Sequence, residues 1–596
     1  MKKFKYSLIM GLFAAVSFTS CDDEGFLKED PKNIYTVENA FDKSSQVDAT
    51  VVRAYVAFRN LHGWANIYID ADKVACNLLG GNGSDVVDGT GQISTASGSM
   101  SNYISLNANT AIFNSLWNDL YSLAAHANLA MYGAEKVNWS SEADKDYALA
   151  QAKFFRGWAY LRLAECYGGV PIVDSYSEDL RFDYARSTRK ETYEFAIADL
   201  ESAVTGLPDY PKQDGRVAKG AANHYLAEAY LAIGAETGDK SYFAKAITVA
   251  KATINLHPLM TERFGSRANP SDNGTTYGVA NYKTDGNVYY DLFQIGNYDR
   301  SEGNTESLMV IQTPSYEQQS FSGGDMFLFG LTVFAPFRDL VWKDQYKEAG
   351  ASGGPWENNI SKEGGPSCAY LGGNTWGLVG STDYSDEVVW ESQFATDMRN
   401  EQVNRCNPVA LDEKHSKYGQ VVEKEWLAEP SRYMRISHKI ALQDSWGWTP
   451  FHSWMNAPFA YQYGRDWYIC RSAETYLLLA EAELRNDNQA GAIEAINKVR
   501  ERAQATYMYN GSITIKDILD ERARELAWEE HRWPTLLRLD SSTGNNDVMK
   551  YQLTHYTMYA SDMKQAGITP PWTLFPIPTT VINLNSHLEM KQNPGW

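Results

Sequence analysis

The sequence predicts a mainly α-helical protein in which tetratricopeptide-like helix pairs form a scaffold that carries a loop-rich, partly irregular lobe. Helical periodicity with alanine-rich faces marks the first and last parts of the 596-residue chain, and it fades between them. There glycine, asparagine, aspartate and serine become frequent, and a structureless connection of that length is rare in compact proteins. We therefore expect a leader over 1–20, helical regions over 21–259 and 467–596, and the irregular lobe over 260–466.

The first 20 residues have the pattern of a secretory signal peptide. A basic start precedes an uncharged, mostly apolar run over 7–18, which is shorter than the roughly 20 residues that span a bilayer. The small residues Thr19 and Ser20 stand directly before Cys21, which resembles the cleavage and lipidation site of bacterial lipoproteins. We expect Cys21 to carry a lipid anchor. Ordinary cleavage that leaves Cys21 as a spare thiol is the alternative.

The N-terminal region is predicted to contain successive helices, because apolar residues recur there at helical spacing. The predicted spans are 114–131, 147–167, 191–205, 218–233 and 242–254. The last two are joined by a short polar loop that contains Gly234 and Gly238, and both carry alanines between larger residues. Small residues let two antiparallel helices approach closely, which is the pattern of a degenerate tetratricopeptide-like hairpin.

The C-terminal region repeats this pattern. Three successive apolar faces are predicted; they carry Ala473, Tyr476, Leu477, Ala480 and Leu484, then Ile493, Ile496, Val499 and Ala503, then Ile518, Leu519, Leu526 and Ala527. We expect each face to pack on its neighbour.

The six cysteines do not indicate a disulfide framework. Cys166 and Cys470 stand in helical patterns, so we expect small buried side chains there. A single bond between Cys368 and Cys406 is left open.

Charge and composition exclude several function classes. The net charge of −20 disfavours nucleic-acid binding, which needs basic patches. The 10 histidines form no HExxH pair, and no Cys-x-x-Cys motif occurs, so a zinc enzyme is not expected. No cofactor, catalytic residue or metal ligand is predicted, although a single calcium site in the acidic lobe is left open.

Several segments, in order along the chain, resemble the SusD/RagB family of outer-membrane nutrient-binding lipoproteins of Bacteroidetes. The segment 471–482 resembles its R-x-A-E-x-Y-L-x-x-A-E-A helix, and 520–533 resembles its ER-x-x-EL…E-x-x-R helix. Similar matches are Tyr167-Gly168-Gly169-Val170-Pro171-Ile172, the GR-x-x-K-x-A-A segment over 215–222, and the closing segments 574–578 and 592–596. The acidic residues 22–24 behind Cys21 resemble the surface-export signal of such lipoproteins.

This resemblance implies a function in nutrient uptake. The protein would be lipid-anchored and surface-exposed on the outer membrane, and it would bind oligosaccharide without chemistry. It would deliver that ligand to a SusC-like TonB-dependent transporter as its partner. A peptide- or protein-binding module of the same uptake system is one alternative, because tetratricopeptide-like faces often bind protein.

A glycoside hydrolase is the second alternative, since paired glutamates such as Glu521 and Glu525 are present. We favour a structural role for these acids. The neighbouring arginines would hold them ionised, whereas a general acid needs a raised pKa.

Aromatic residues provide the candidate ligand site. Nine of the 17 tryptophans lie between 342 and 467, where helix packing does not explain them. Sugar rings stack on aromatic faces, and polar side chains bind their hydroxyl groups. A turn-rich loop over 79–103 is a second source. The predicted ligand-binding residues are Trp64, Asp85, Asp88, Tyr103, Trp342, Trp356, Trp376 and Trp390. For any single tryptophan, anchoring the lobe to the scaffold is the alternative.

Overall fold

The computed structural model describes most of the two helical regions and parts of the chain between them. The described ranges are 40–62, 84–89, 106–265, 286–294, 296–312, 379–407, 420–427, 435–439, 466–539 and 573–596, together with a few isolated residues. The predicted lipidation site Cys21 lies outside the described residues. The predicted boundaries of the regions stay predictions.

Six helices form the N-terminal scaffold, and each packs on the next along the chain. They are α1 (Ser44–His62), α2 (Ala111–Ala134), α3 (Glu142–Tyr167), α4 (Arg189–Gly206), α5 (Lys219–Thr237) and α6 (Lys240–Leu256). Helix α3 lies in the middle of this layer, and its Trp158 and Tyr160 are fully buried. These contacts confirm the predicted mainly helical fold, and both aromatic side chains pack inside the scaffold.

The α5–α6 hairpin shows why its glycines are needed. Helix α5 ends at Gly238, whose φ of 72° lies in the left-handed region that favours glycine. Gly234 faces Phe243 of α6, and a Cβ atom there would lie 2.5 Å from the Phe243 ring. The close approach that the alanine-rich faces predict therefore depends on a residue without a side chain.

Four longer helices lie in the described part of the C-terminal region: α7 (Ser472–Arg485), α8 (Gln489–Arg502), α9 (Ile515–Leu526) and α10 (Arg532–Leu539). A short helix follows at Thr579–Leu584. Helix α7 pairs with α8 and also packs on α6. The two helical regions are therefore joined through direct helix contact. Leu477 and Ile496 are fully buried in the α7–α8 contact, as their spacing predicts.

The described strands are short and pair antiparallel in three two-stranded ribbons. They are β1 (Val87–Gly89) with β3 (Val379–Ser381), β2 (Ser307–Ile311) with β6 (Trp467–Arg471), and β4 (Arg405–Cys406) with β5 (Ile436–Ser437). Each ribbon joins segments that lie far apart in the sequence. Within the described parts of the central region, these strands alternate with single helical turns such as Val288–Asp291 and Asp383–Asp386.

The segment 573–596, called the strap below, crosses the ends of α2 and α3. The backbone N–H of Phe575 donates to the Cys166 carbonyl at 2.7 Å. The Asn593 amide donates to the carbonyl of Tyr167 at 2.9 Å, and the Trp596 ring packs 5.3 Å from Phe113. The strap thereby closes one end of the N-terminal helical layer.

The two described cysteines with resolved side chains, Cys166 and Cys470, are buried free thiols. Cys166 lies in α3 as predicted. Cys470 lies on strand β6, and the helical pattern begins only at the following serine, so its predicted helical placement was wrong. Among the described helices, none combines the length and the apolar composition needed to cross a bilayer.

Candidate functional site

The predicted ligand-binding residues fall into two groups. Trp64, Tyr103, Trp342, Trp356 and Trp376 lie outside the described residues. Of the others, Asp85 and Trp390 are described with their side chains, whereas Asp88 is described only as a backbone position of β1.

The structure brings the segments of Asp85, Asp88 and Trp390 together at one place, the β1–β3 ribbon. Asp88 pairs with Gly380 across the ribbon. The Val86 carbonyl accepts the backbone N–H of Thr382 at 3.1 Å and the Ser385 hydroxyl at 2.6 Å. The predicted N-terminal ligand loop and the central region therefore meet here.

Asp85 forms a buried ion pair with the C-terminal region. The Arg532 guanidinium donates from Nε to Oδ1 at 2.8 Å and from Nη2 to Oδ2 at 2.6 Å. The Gln552 amide donates to Oδ2 at 2.8 Å, and the carboxylate is fully buried. Both oxygens have protein partners, so Asp85 has a structural role here, and its contact with a ligand stays a prediction.

Trp390 is also packed against protein. Its indole N–H donates to the Ser385 carbonyl at 3.1 Å, and the Arg405 guanidinium lies 4.7 Å from the ring centroid. The cavity beside it holds about 20 Å³, which is space for about one water molecule. Trp390 therefore anchors this part of the chain, as the alternative interpretation expects, and sugar stacking on it stays a prediction.

A second feature is an open groove of about 330 Å³ between α1, the loop before α5 and strand β2. That volume lies within the range of small-molecule sites. Its lining residues belong to 52–59, 213–216 and 309–312. None of these positions was among the predicted ligand-binding residues.

Tyr55 of α1 supports one wall of the groove. Its hydroxyl donates to Gln151 Oε1 at 2.9 Å and accepts the Val217 backbone N–H at 2.8 Å. Burial raises the pKa of the Tyr55 phenol well above its ordinary value, so the hydroxyl stays protonated. The Phe155 ring meets the Tyr55 ring edge-on at 4.5 Å, which fixes its plane.

Arg216 lies over this ring, with its guanidinium carbon 5.1 Å from the Tyr55 centroid. It also forms an ion pair with Asp48 at 3.3 Å. The preceding Gly215 has a φ of 78°, and a Cβ atom there would lie 2.6 Å from Cγ of Gln312. The Gly-Arg pair of the motif at 215–222 therefore builds part of the groove. The sequence showed this motif only as a family resemblance and assigned it no ligand-binding role.

Carboxylate and amide groups line the opposite side. Asp214 accepts the Ser301 hydroxyl at 2.7 Å, and the Gln312 amide donates to Asp299 Oδ2 at 2.8 Å. The pKa of Asp299 is raised to about 6, chiefly by burial; the Gln312 hydrogen bond lowers it, and the nearby Asp214 carboxylate raises it. The groove thus combines an aromatic ring with donors and acceptors suited to hydroxyl groups.

The groove lies where two predicted ligand-bearing segments begin. Helix α1 ends at His62, two residues before Trp64. Strand β2 ends at Ile311, and the chain that follows leads to Trp342.

The acidic residues of the C-terminal motif lie in a buried cluster of ion pairs, which we call the ion-pair core. Its members are Glu306, Asp397, Arg399, Arg471, Arg500, Arg502, Glu521, Arg524 and Glu525, all almost fully buried. Glu521 pairs with Arg399 and Arg500, both at 2.7 Å. Despite burial, neighbouring guanidinium groups lower the pKa of Glu525 to about 2.

The ion-pair core therefore confirms the structural interpretation of these acids. A carboxylate held ionised by arginines is a poor general acid. The pairs also extend further than predicted, since Arg399 and Arg471 come from outside the C-terminal helices. Within the described part of the chain, no group of three or more potential ligands is arranged to hold a metal ion.

Comparison with known proteins gives consistent matches over both helical regions. Residues 443–596 match the family model described as the SusD family, and residues 42–231 match one described as "Starch-binding associating with outer membrane". The chain is 24% identical over 617 aligned residues to the SusD-like protein P2 of Formosa agariphila, with 100% of each chain covered.

Solved structures show the same fold. A laminarin binding SusD-like protein superposes with a TM-score of 0.62 at 19% identity, over 93% of this chain and 100% of its own. Surface glycan-binding protein A from Bacteroides fluxus gives a TM-score of 0.60 at 18% identity, with 93% and 100% covered. Matches at both ends, a full-length relative and a shared fold lead to one conclusion: the chain belongs to the SusD/RagB family.

Proposed function

We propose that this protein binds an oligosaccharide in the groove beside α1 and passes it to a SusC-like TonB-dependent transporter, without chemistry of its own. The groove carries the proposal, because it joins the Tyr55 ring to the guanidinium of Arg216 and the amide of Gln312. Aromatic faces pack on sugar rings, and such polar groups bind hydroxyls.

Relatives support a carbohydrate ligand. The two structural relatives are named for laminarin binding and for surface glycan binding, and one family description names starch. The net charge of −20 opposes strongly acidic polysaccharides, so we expect a neutral glycan.

Isothermal titration calorimetry against a glycan panel that includes laminarin oligosaccharides tests this proposal. Replacing Arg216 with alanine should weaken binding about tenfold, because hydrogen bonds to charged groups contribute about 1.5–3 kcal/mol. Arg181→Ala is a matched control: this arginine also pairs with an aspartate and lies 4.9 Å over a tyrosine, Tyr184, but outside the groove. Unchanged affinity in Arg216→Ala would contradict the groove as the site.

The two alternative functions predict different results in experiments with the same purified protein. The observation that favours a glycoside hydrolase is two nearby carboxylates: Asp214 lines the groove, and Asp299, whose pKa is raised, accepts the amide of the lining residue Gln312. Shortened oligosaccharides after incubation would establish that activity, and we expect none. Calorimetry that detects peptide binding, with no binding across the glycan panel, would favour a peptide-binding module.

We also propose that Cys21 is lipidated and holds the protein on the cell surface beside the transporter. A lipid anchor keeps the binder near the pore and raises its local concentration there. Cys21→Ala should move the protein from the membrane fraction to the soluble fraction. A variant that stays in the membrane fraction would contradict anchoring through Cys21.

A further inference from the structure

Two consecutive residues at the start of α10 contact two separate parts of the N-terminal region. The His531 ring stacks on His62, the last residue of α1, with centroids 5.1 Å apart and planes at 27°. The next residue, Arg532, holds Asp85 just before β1. We call this pair, His531 and Arg532, the clamp.

The Arg532 contact is rigid, because its partners are buried and oriented. At most 2% of either side chain is exposed, and two parallel hydrogen bonds join them. The remaining Nη1 donates to Glu530 Oε2 at 3.1 Å. Losing one partner of such a pair leaves an uncompensated buried charge, so the contact persists while the protein is folded.

The clamp also reaches the groove through α1. His62 packs 4.5 Å from Phe58, and Phe58 packs 4.8 Å from Trp158. Phe58 is one of the residues that line the groove. His531 therefore contacts the last turn of α1, and Phe58 connects that turn to a wall of the groove.

We propose that the clamp positions the glycan site: it fixes α1, and with it the groove, relative to the β1–β3 ribbon that carries Asp88. This inference rests on the proposed glycan binding. His531 and Arg532 are positioning residues, since neither lines the groove. Coupling through such packed contacts changes affinity without touching the ligand.

The first test compares glycan affinity in Arg532→Lys and Asp85→Asn with the unchanged protein. Lysine keeps the charge and loses the two parallel donors. Each variant should bind the panel glycan about 2- to 30-fold more weakly. The double variant should bind the glycan about as weakly as whichever single variant binds it less tightly, because both substitutions remove the same contact.

Arg538→Lys is the matched control. Arg538 lies in the same helix and forms a fully buried pair with Glu481 at 2.8 Å, away from β1. It should lower thermal stability as Arg532→Lys does while leaving glycan affinity unchanged. Wild-type affinity in Arg532→Lys, or an equal loss of affinity in Arg538→Lys, would overturn the positioning role.

Hydrogen exchange gives a readout that needs no glycan. Amides of 84–89 should exchange at least about tenfold faster in Arg532→Lys and at the wild-type rate in Arg538→Lys, because local opening follows local stability. Unchanged exchange rates of these amides in Arg532→Lys would overturn the positioning role of the clamp. A wild-type protein that binds no glycan on the panel overturns the proposed function, and exchange then decides the clamp alone.

Discussion

The ion-pair core and the groove use the same side-chain types in opposite surroundings. In the core, Arg399 and Arg500 are fully buried, and carboxylates bind them at 2.6–2.9 Å. In the groove, Arg216 stays partly exposed over Tyr55, and its partner Asp48 is more than half exposed. Residue type alone therefore does not distinguish a ligand-binding arginine from a structural one.

The difference lies in what water can reach. A buried pair loses hydration and stabilises only while every member is present. A partly hydrated pair contributes little to stability, so its groups are available to a ligand. Changes in the core should therefore alter folding, and changes in the groove should alter binding.

The largest expected effect is in the core. Glu525→Gln should lower the free energy of unfolding by about 3–5 kcal/mol, because Arg399, Arg471 and Arg502 would lose a shared carboxylate. Denaturant unfolding measures this. A loss below about 1 kcal/mol would break the distinction between the two regions.

The pH dependence of the same variant sharpens this point. The folded-state pKa of Glu525, about 2, lies below its ordinary 4.5. The ionised Glu525 side chain therefore contributes its full stabilisation of the folded state above pH 4.5. This contribution is lost as the pH falls towards 2. The wild-type and Glu525→Gln unfolding free energies should converge over that interval, and a constant difference would contradict the ionised carboxylate.

The next effect has the opposite sign. Asp299→Asn should raise the free energy of unfolding at pH 7 by about 1–2 kcal/mol, because it removes a buried charge with a raised pKa. In the wild type, stability should rise as the pH falls from about 6 towards 3.8, where the native state alone takes up the proton. This slope should flatten in the variant; a destabilised variant at pH 7 would show that the charge is needed.

A smaller effect is expected on binding. Gln312→Ala should weaken glycan affinity about 2- to 10-fold, because a neutral hydrogen bond contributes about 0.5–1.5 kcal/mol. Calorimetry measures this loss. Gln489→Ala is the control, since the amide of Gln489, on α8, bonds the backbone of Ile513 and lies outside the groove. Equal losses in both variants would mean that Gln312 acts through the fold.

The smallest effect is expected at an exposed pair. Glu501→Gln removes the 2.8 Å contact with Lys498, where about half of each side chain is exposed. The free energy of unfolding should change by less than about 0.5 kcal/mol. Denaturant midpoints measured beside those of Glu525→Gln check this, and a large loss here would remove the contrast between buried and hydrated pairs.

The sequence predicts most of the long helices, because packing faces repeat at helical spacing; α1 was not among the predicted spans. The predicted span 147–167 becomes Glu142–Tyr167, and 242–254 becomes Lys240–Leu256. The placement of Cys470 failed, because a buried strand of five residues that leads into a helix shows no period of its own.

The site is harder to predict, because it is built from distant parts of the chain. Asp85 looks like a ligand residue in a turn-rich loop, and only the fold shows that Arg532, 447 positions later, binds it. The groove likewise joins Tyr55, Arg216 and Gln312, which share no motif. The Gly-Arg pair at 215–216 was visible as part of a family motif, but the motif does not state what it builds.

The strap has a consequence for biosynthesis. The ribosome makes residues 573–596 after every helix that they touch, and these residues close the ends of α2 and α3 through Phe575 and Asn593. Helices near the N-terminus pair early during synthesis. The ends of α2 and α3 lack these contacts until residues 573–596 have been made, so a shorter nascent chain leaves Phe113 without the Trp596 ring that packs on it.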